Sequence, residues 1–513
     1  MSTTLDLLSA TPAPGPVPSD PRTGKSLRIL FLEPLFPSAR IWGKFRRGGG
    51  FVQPIGLMTI YSYVRDLGHD AEFCDSRLIG LTATDLTRKL VDGQYDIVGI
   101  PVFTNTAADS FSTAQLVRDA LPSCTIVLGG VHVTSMPQRS LEECPAADFV
   151  VVGEGELTTA ELLASLRTGE PSPADIRGLA WRQNGAIVVN PGRDLIKDPN
   201  ILPHIRYQDV RMDLYVPHPT QYLELPSFNV FTQRGCPYKC TFCQAMVTMG
   251  AKVRFKSVDK VIEEIRILED LWGARGIYFQ DSAFTVRKDW VRQLCEKMIE
   301  ENLGIHWACN LRVDNVTEDL LKLMARAGCW MCVFGIESGN QESLDLMKKG
   351  ITLKQQQDAV RWCRQAGIQV MNNFILAVPG ETEAMVNRTI RYSLELGGEI
   401  SLYWLPVPYP GTELWRTAKE SGGLREDAPW SDFGSMDYKN LVYVNPLLGP
   451  DRASAQAKML DLHSRAYRAF YSSPRTVWRN LRSVRSPRHL HRFYKAALAI
   501  SGLYLEPSTQ TAE

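Results

Sequence analysis

The chain has 513 residues, of which 44% are hydrophobic and 22% are charged, and its 57 Lys and Arg balance 56 Asp and Glu. This length exceeds one hydrophobic core, so we expect two or three packed units. The even charge excludes an overall electrostatic attraction to nucleic acid, and no nucleic-acid partner is expected. No apolar stretch approaches the roughly 18 residues that span a bilayer, and the first residues lack a hydrophobic signal core, so we expect a cytoplasmic protein.

The amino-terminal third alternates between apolar runs and amphipathic stretches. Residues 1–26 are rich in Pro, Ser and Thr, which predicts a disordered tail. Over 27–168, runs such as LRILFL, DIVGIPV and TIVLGG predict an α/β domain with a doubly wound, flavodoxin-like parallel sheet. Its ligand crevice should lie at the carboxyl ends of the strands. Residues 169–220 are interpreted as a linker, in which Asn184-Gly185 predicts a β-hairpin.

A second alternating series occupies residues 221–445. Six apolar runs, from FNVFT to ISLYWLPV, are separated by helical patterns and predict a partial (β/α)6 barrel of the TIM type. In such barrels the chemistry takes place where the strands end. Residues 446–513 are predicted to form a helical, basic cap.

Three cysteines are closely spaced after the first barrel strand. The segment FTQRGCPYKCTFCQ places Cys236, Cys240 and Cys243 in a CxxxCxxC loop. Soft thiolates favour an iron–sulfur cluster, zinc or copper(I), and three ligands leave one position open for a substrate. Zinc sites more often have four ligands in paired CxxC spacing, so an iron–sulfur cluster is preferred over a zinc site or three core cysteines.

This loop, with Phe242 before its last cysteine, resembles the signature of the radical S-adenosylmethionine (SAM) superfamily. The resemblance implies a [4Fe-4S] cluster whose open iron binds SAM and reductively cleaves it to a 5'-deoxyadenosyl radical. It also implies that residues at the strand ends contact SAM. The alternative is that these residues form ordinary ion pairs inside the barrel. Gln280 stands beside Asp281 where the family pattern would have a second acidic residue. The candidate contacts are Asp281, Arg312, Glu337, Ser338, Pro379 and Gly380.

The barrel sequence holds four more cysteines, Cys309, Cys329, Cys332 and Cys363. Free cysteine commonly packs as a small hydrophobe, so core packing is the favoured interpretation. Cys329 and Cys332 form a CxxC pair that begins at a helix end and continues into a predicted strand. We therefore expect these two thiols not to face one metal ion.

Residues 27–168 resemble the cobalamin-binding domains that precede the barrel in many radical SAM enzymes. The resemblance is carried by turns that face one crevice, and it implies cofactor contacts at Thr104, Asn105, Gly129, Gly130, Val131, Gly153, Glu154 and Gly155. The loop EPLFPSARIWGKF lacks the histidine that ligates cobalt in DxHxxG domains, so five-coordinate or water-bound cobalt is expected. Surface or hydrogen-bonding roles are expected for His69 and His132.

The last region combines arginines with aromatic residues. Arg475, Arg479 and Trp478 open this pattern, which continues through Arg482, Arg485, Arg488, Arg492, Phe493, Tyr494 and Lys495. A solvated face whose aromatics pack on the barrel is the simpler interpretation. The alternative is a basic surface for an anionic membrane or an acidic substrate.

These features together resemble cobalamin-dependent radical SAM enzymes. The resemblance implies C-methylation of an unactivated carbon through methylcobalamin, acting on a natural-product or lipid precursor. A reductase or flavodoxin-type protein is the expected electron donor. Radical oxidative cyclisation or ring rearrangement with the same cofactors remains an alternative, as does a non-catalytic cobalamin sensor.

Overall fold

The computed structural model describes residues 27–37, 50–434, 438 and 440–483. The predicted tail and the basic residues from 484 onward lie outside these ranges. The chain divides into two compact units. Unit 1 contains residues 53–215 with the first strand and a short segment at 247–250, and unit 2 contains residues 216–246 and the chain from 251 onward. Within the described ranges, no helix has the length and apolar character to cross a membrane.

Unit 1 is built around a seven-stranded sheet with the order β2-β1-β3-β4-β5-β6-β7. Its strands are β1 (Arg28–Glu33), β2 (Asp70–Asp75), β3 (Ile97–Pro101), β4 (Thr125–Gly129), β5 (Phe149–Val151), β6 (Leu179–Gln183) and β7 (Ala186–Val189). Its helices are α1 (Ile55–Asp66), α2 (Ala83–Gly93), α3 (Ala107–Ala120), α4 (Val131–Ser135), α5 (Pro137–Glu143) and α6 (Gly155–Thr168). Strands β1 to β5 are parallel, in the predicted flavodoxin-like order.

The hairpin at Asn184-Gly185 is present, and both residues have positive φ angles of 51° and 83°. Its placement in a linker was wrong. Strand β6 pairs antiparallel with β5 and lengthens the sheet, because Leu179 and Ala180 are fully buried and Leu179 joins the main apolar cluster of the unit. The burial of these side chains makes the hairpin part of unit 1.

Unit 2 contains an all-parallel six-stranded sheet with the order β15-β14-β13-β12-β11-β8, which confirms the predicted partial barrel. Its strands are β8 (Ser227–Val230), β11 (Gly276–Phe279), β12 (His306–Leu311), β13 (Cys329–Glu337), β14 (Gln369–Ile375) and β15 (Ile400–Trp404). A separate antiparallel pair, β9 (Gln233–Arg234) and β10 (Arg254–Phe255), flanks the cysteine loop in sequence.

The helices of this part of the chain follow the strands in sequence, and the first of them overlaps the segment 247–250 of unit 1. They are α7 (Ala245–Met249), α8 (Val258–Trp272), α9 (Lys288–Glu300), α10 (Glu318–Arg326), α11 (Gln341–Leu346), α12 (Leu353–Ala366), α13 (Glu383–Leu396), α14 (Glu413–Glu420), α15 (Arg452–Tyr471) and α16 (Pro474–Ser483). Helix α12 shows how sequence sets these bounds: Thr352 and Gln355 form a capping box, and Gly367 ends the helix at a φ of 77°.

Side chains alternate along the barrel strands. Tyr278, Ala308, Met331, Val333 and Met371 form an apolar cluster across neighbouring strands. Parallel strands in register direct such residues to the same side of the sheet. Trp330 belongs to the same cluster as its neighbour Met331, because the register shift in β13 interrupts the alternation at this point.

Candidate functional site

The cysteine loop of unit 2 is anchored through its backbone. Cys243 N–H donates to the Cys240 carbonyl at 3.2 Å, and Thr241 N–H donates to the Met347 carbonyl at 3.1 Å. Leu414 N–H donates in turn to the Thr241 carbonyl at 2.8 Å. Cys236 is buried, whereas Cys240 and Cys243 are half-buried. The loop is thus fixed by segments distant in sequence, while Cys240 and Cys243 are only partly buried.

Arg312 joins this loop to the end of β12. Its guanidinium carbon lies 3.5 Å from the centre of the Tyr238 ring, and one of its nitrogens lies 3.7 Å from Cys240 Sγ. The other nitrogens bind Asp314 at 3.1 and 3.0 Å and the Lys349 carbonyl at 2.6 Å. Because these contacts occupy the guanidinium, Arg312 is placed to orient the loop and neutralise a Cys240 thiolate.

Glu337 ends β13 in a strained conformation, with a φ of 62°. Its Oε1 accepts a hydrogen bond from Lys349 Nζ at 2.7 Å, and each side chain is only 7% exposed. This carboxylate therefore has a cationic partner within the chain, rather than one reserved for the SAM ammonium. The pair lies close enough to the cysteine loop to affect the pKa of Cys240.

The thiol chemistry of the loop reflects both burial and charge. Burial raises the pKa of Cys240, while Lys349 and Arg312 lower it. Burial also raises the pKa of Cys243, and the Ala245 backbone N–H and Lys349 oppose that rise. The Cys236 thiol raises both values, which shows that the three sulfurs interact electrostatically. Three thiols backed by two cations fit an anionic iron–sulfur cluster.

Asp281 follows β11 and is 1% exposed. Its Oδ1 accepts hydrogen bonds from the backbone N–H groups of Thr232 and Gln233 at 2.9 and 3.0 Å, and its Oδ2 accepts from Thr232 Oγ1 at 2.6 Å. All three partners belong to the chain just before the cysteine loop. The structure therefore favours a positioning role for Asp281 over direct contact with SAM, and half-buried Gln280 pairs with Asn229 at 2.8 Å.

Asp281→Asn should change the pH dependence of stability, because burial raises the pKa of Asp281 from 3.8 to about 6. Between these values the unfolded carboxyl ionises while the folded one stays neutral, so the wild type loses up to about 3 kcal/mol as pH rises from about 4 to 6. The amide of the variant does not titrate. Urea unfolding of the cofactor-free chain should show the stability of Asp281→Asn rising relative to the wild type across this range.

The matched control is Asp289→Asn, whose carboxylate is 71% exposed. Its stability relative to the wild type should not change across the same pH range. A pH-independent difference for Asp281→Asn would mean that the buried carboxyl is already ionised in the folded protein.

The remaining predicted SAM contacts lie in two turns. Ser338 is fully buried, and its hydroxyl contacts Thr389 Oγ1 at 2.8 Å, so it braces the turn after β13. Pro379 and Gly380 follow β14, and Gly380 has a φ of 90°. Asn445 Nδ2 donates to the Val378 carbonyl at 2.9 Å, which holds this second turn in place. Both turns therefore have fixed backbones at the strand ends, as a bound adenosyl group requires.

The turns after β3 and β4 lie at the carboxyl edge of the unit 1 sheet, where the sequence predicts the ligand crevice. Thr104 and His132 are buried, and His132 Nδ1 lies 3.3 Å from Thr104 Oγ1. Gly130 has a φ of 109°, and a Cβ there would lie 2.8 Å from the Val102 carbonyl oxygen. At Gly129, by contrast, a Cβ would meet nothing within 4 Å. The turn thus passes closely over the β3 backbone and leaves open space at Gly129, which suits a slot for a cofactor tail.

The last turn of this crevice surrounds Gly153, which has a φ of 84° and donates its N–H to Thr134 Oγ1 at 3.0 Å. Glu154 Oε2 accepts from Ile196 N–H at 2.8 Å. A Cβ at Gly155 would lie 2.7 Å from Ile60 Cδ1, so this glycine permits close packing of α6 on α1. Asn105 and Val131 are half-buried beside the same strand ends.

His69 and His132 of unit 1 occupy different edges of the sheet. His69 directly precedes β2 and therefore lies at the amino-terminal edge of the sheet, away from the predicted crevice at the carboxyl edge. His132 is buried and hydrogen-bonded to Thr104, and burial lowers its pKa to about 4. Its expected hydrogen-bonding role is therefore what the structure shows, whereas a surface position is wrong for His132. The predicted ligand-free loop is described only as far as Pro37.

The other barrel cysteines are closer together than expected. Cys329 Sγ and Cys332 Sγ lie 4.0 Å apart, and the sulfurs of both and of Cys309 all lie within 4.8 Å of one another. The prediction that the two CxxC thiols face apart was wrong. A register shift at Trp307 and Ala308 adds one residue to β13 opposite β12, which brings both thiols to one side.

Proximity alone does not make these thiols a metal site. Burial raises the pKa of Cys309, Cys329 and Cys332 well above the usual range. The Cys329 thiol also approaches the Met331 carbonyl oxygen at 3.7 Å, as a hydrogen-bond donor would. Protonated thiols joined by weak hydrogen bonds pack as small apolar groups, so the structure favours core packing.

Comparison with known proteins connects both units to families. Residues 45–163 match the B12 binding domain model, and residues 230–393 match the radical SAM superfamily model. An uncharacterized methyltransferase of Pyrococcus horikoshii is 32% identical over 83% of this chain and 90% of its own length. The chain belongs to the cobalamin-binding radical SAM enzymes. The predicted family, enzyme class and cofactors, a [4Fe-4S] cluster, SAM and cobalamin, are confirmed.

Other members of this family and solved structures extend the comparison. A cytidylyl-2-hydroxyethylphosphonate methyltransferase of Streptomyces wedmorensis is 28% identical over 78% of this chain and 80% of its own length. The methyltransferase TsrM of Kitasatospora setae, solved with cobalamin and a [4Fe-4S] cluster, has a TM-score of 0.70 and 17% identity, over 93% of this chain and 99% of its own. At that identity the likeness establishes the shared fold.

Sequence reasoning missed several residues of this radical SAM site. Lys349 and Asn445 reach the strand ends from segments far along the chain, and no local pattern indicates their contacts. Tyr238 could have been found from the sequence, because it lies inside the CxxxCxxC loop as CPYKC. Its stacking partner Arg312, however, follows β12, far away in sequence. Only the folded barrel brings these groups together.

Proposed function

We propose that this enzyme transfers a methyl group to an unactivated carbon of a small organic substrate. The observation that carries the proposal is the 32% identity to a protein named as a methyltransferase over 90% of that protein's length. The charged environment of the cysteine loop and the glycine-lined crevice of unit 1 support it. Bound together, the cofactors supply a hydrogen-abstracting radical and a transferable methyl group.

The residues of unit 2 divide into ligands and supports. We propose that Cys236, Cys240 and Cys243 bind the cluster, and that Phe242 packs beside it. Arg312 neutralises charge at Cys240 and holds the loop through Tyr238. The SAM pocket is proposed to be formed by the strand-end turns, with contacts from Ser338, Pro379 and Gly380. Asp281 is proposed to position the cysteine loop, and Glu337 to pair with Lys349.

The residues of unit 1 are proposed to hold cobalamin through its nucleotide tail. The β3 turn contributes Thr104 and Asn105, and the β4 turn contributes an open slot beside Gly129. The proposed contacts are Thr104, Asn105, Gly129, Gly130, Val131, Gly153, Glu154 and Gly155. In these turns a backbone without Cβ atoms can approach a planar ligand closely.

Isotope transfer tests the methylation proposal. The reconstituted enzyme is incubated anaerobically with a strong reductant, SAM deuterated in its methyl group and a metabolite extract. We expect a product carrying one deuterated methyl group, with S-adenosylhomocysteine formed in proportion to 5'-deoxyadenosine. Deuterium-free products with undiminished 5'-deoxyadenosine would contradict methylation. Enzyme reconstituted without cobalamin is the control and should give no labelled product.

Radical cyclisation is the second candidate, and one observation favours it. An anaerobic magnesium-protoporphyrin IX monomethyl ester cyclase of Rubrivivax gelatinosus is 26% identical over 87% of this chain and 77% of its own length. Cyclisation consumes SAM without producing S-adenosylhomocysteine. The same assay therefore separates the two reactions by a single product.

We further propose that a reductase or flavodoxin-type protein supplies the electron and that the substrate is a natural-product or lipid precursor. A cytoplasmic location is proposed because the structure contains eleven free cysteines, and oxygen-sensitive thiols persist in reducing compartments. These assignments rest on the chemistry of the cofactors and thiols.

Membrane contact through the basic carboxyl-terminal helices is the remaining partner proposal. Helix α16 exposes Val477, Trp478 and Leu481 beside Arg475. An apolar row flanked by arginine is typical of helices that lie on anionic bilayers. Sedimentation with anionic vesicles and release by salt would support it, and absence of sedimentation would leave the solvated-face interpretation.

A further inference from the structure

Lys349 lies beside the cysteine loop at the end of the segment after α11. Its Nζ lies 2.7 Å from Glu337 Oε1, and each side chain is 7% exposed. Burying an ammonium and a carboxylate costs desolvation free energy that their attraction only partly returns. Such a pair is therefore a candidate for a role other than stability.

The backbone around Glu337 is built to accommodate this pair. Glu337 has a φ of 62°, a conformation that is strained for a residue with a side chain. A Cβ at Gly335 would lie 2.4 Å from Glu337 Oε1 and 2.7 Å from Lys349 Nζ. Glycine at 335 and strain at 337 thus both serve to bring the carboxylate to Lys349.

Lys349 also connects to the cluster ligands through two paths. Its carbonyl accepts a hydrogen bond from Arg312 at 2.6 Å, and the same guanidinium lies 3.7 Å from Cys240 Sγ. Two residues earlier in the chain, the Met347 carbonyl accepts a hydrogen bond from the N–H of Thr241, the residue after Cys240, at 3.1 Å. Both contacts hold the Lys349 segment against the cysteine loop, and because the Lys349 side chain is 7% exposed, water screens its charge little.

We propose that Lys349 is a positioning residue of the cluster, whose ammonium fixes Glu337 and supplies positive charge to the thiolates of the cysteine loop. This inference rests on the proposed ligation by Cys236, Cys240 and Cys243. Reduction adds one electron and hence one negative charge, and a nearby cation stabilises the more negative state. Lys349 accordingly raises the reduction potential of the cluster and eases the one-electron reduction of the cluster that must precede SAM cleavage.

A purely structural role makes a different prediction. If Lys349 only neutralises Glu337, then removing both charges restores the site. If its charge also acts on the cluster, the double variant Glu337→Gln/Lys349→Met should recover stability but not the potential. The double variant also keeps the inference testable where Lys349→Met alone fails to fold.

The test uses the full chain reconstituted with its cluster and compares redox titrations followed by electron paramagnetic resonance. Lys349→Met should shift the midpoint to more negative values, and Lys349→Arg, which keeps the charge, should restore it. The double variant should give a smaller shift in the same direction. Lys348→Met is the matched control, because that neighbouring lysine is 56% exposed and pairs with Glu413 at the surface.

Each outcome decides between the two roles. A folded double variant with the wild-type potential would overturn the inference, and so would a Lys349→Met protein whose midpoint is unchanged. A shift in Lys348→Met as large as that in Lys349→Met would overturn it as well. Failure of the wild type itself to hold a cluster would instead refute the proposed ligation.

Discussion

Cys240→Ala should abolish the cluster and with it the reductive cleavage of SAM. Cys240 is the thiol in contact with Arg312, and Lys349 and Arg312 act on its charge. Two remaining thiolates cannot hold a three-ligand cluster, so activity should fall by more than about 100-fold, the loss that changes at outer-shell partners alone can produce. Iron and sulfide content, visible absorption and 5'-deoxyadenosine formation measure the effect.

Cys144→Ala is the matched control for that loss. Cys144 is a buried free cysteine of unit 1, and its replacement removes a thiol without touching the loop. Iron content and SAM cleavage should stay at wild-type levels. A Cys240→Ala protein with a full complement of iron and sulfide would show that the cluster is held elsewhere.

Gly130→Ala should destabilise unit 1 and prevent cobalamin retention. The residue has a φ of 109°, and a Cβ would lie 2.8 and 3.1 Å from the Val102 carbonyl oxygen and nitrogen. A strained conformation of this kind costs about 1–3 kcal/mol for a residue with a side chain, before the backbone clash is counted. Urea unfolding of the cofactor-free chain measures the stability, and the cobalamin that remains after gel filtration measures retention.

Gly129→Ala separates binding from folding at the adjacent position. A Cβ there meets nothing within 4 Å, so the stability of the cofactor-free chain should change by no more than about 0.5 kcal/mol. If this space is the cofactor slot, overpacking should weaken cobalamin binding about tenfold or more. Gly192→Ala, which also enters open space, should affect neither property. Undiminished binding in Gly129→Ala would place the cofactor elsewhere.

Much of the fold was predictable because its signals are local. Hydrophobic periodicity identified the two parallel sheets, and turn chemistry identified the hairpin at Asn184-Gly185. The hairpin's place in the sheet was missed, since pairing of β6 with β5 depends on burial against strands far away in sequence. The CxxC prediction failed for a related reason, because a bulge in β13 reverses the alternation that a regular strand would give.

The sequence by itself predicted the chemistry of this protein, because the three closely spaced thiols of the CxxxCxxC loop favour an iron–sulfur cluster over a zinc site and the loop resembles the radical SAM signature. Only the tertiary structure decided what surrounds them. Asp281 accepts hydrogen bonds from the chain just before the cysteine loop, and Lys349, which belongs to no recognised motif, pairs with Glu337 beside that loop. Such contacts depend on which strand ends meet at the barrel mouth and on the burial of charges there, and neither property is encoded in residues close together in sequence.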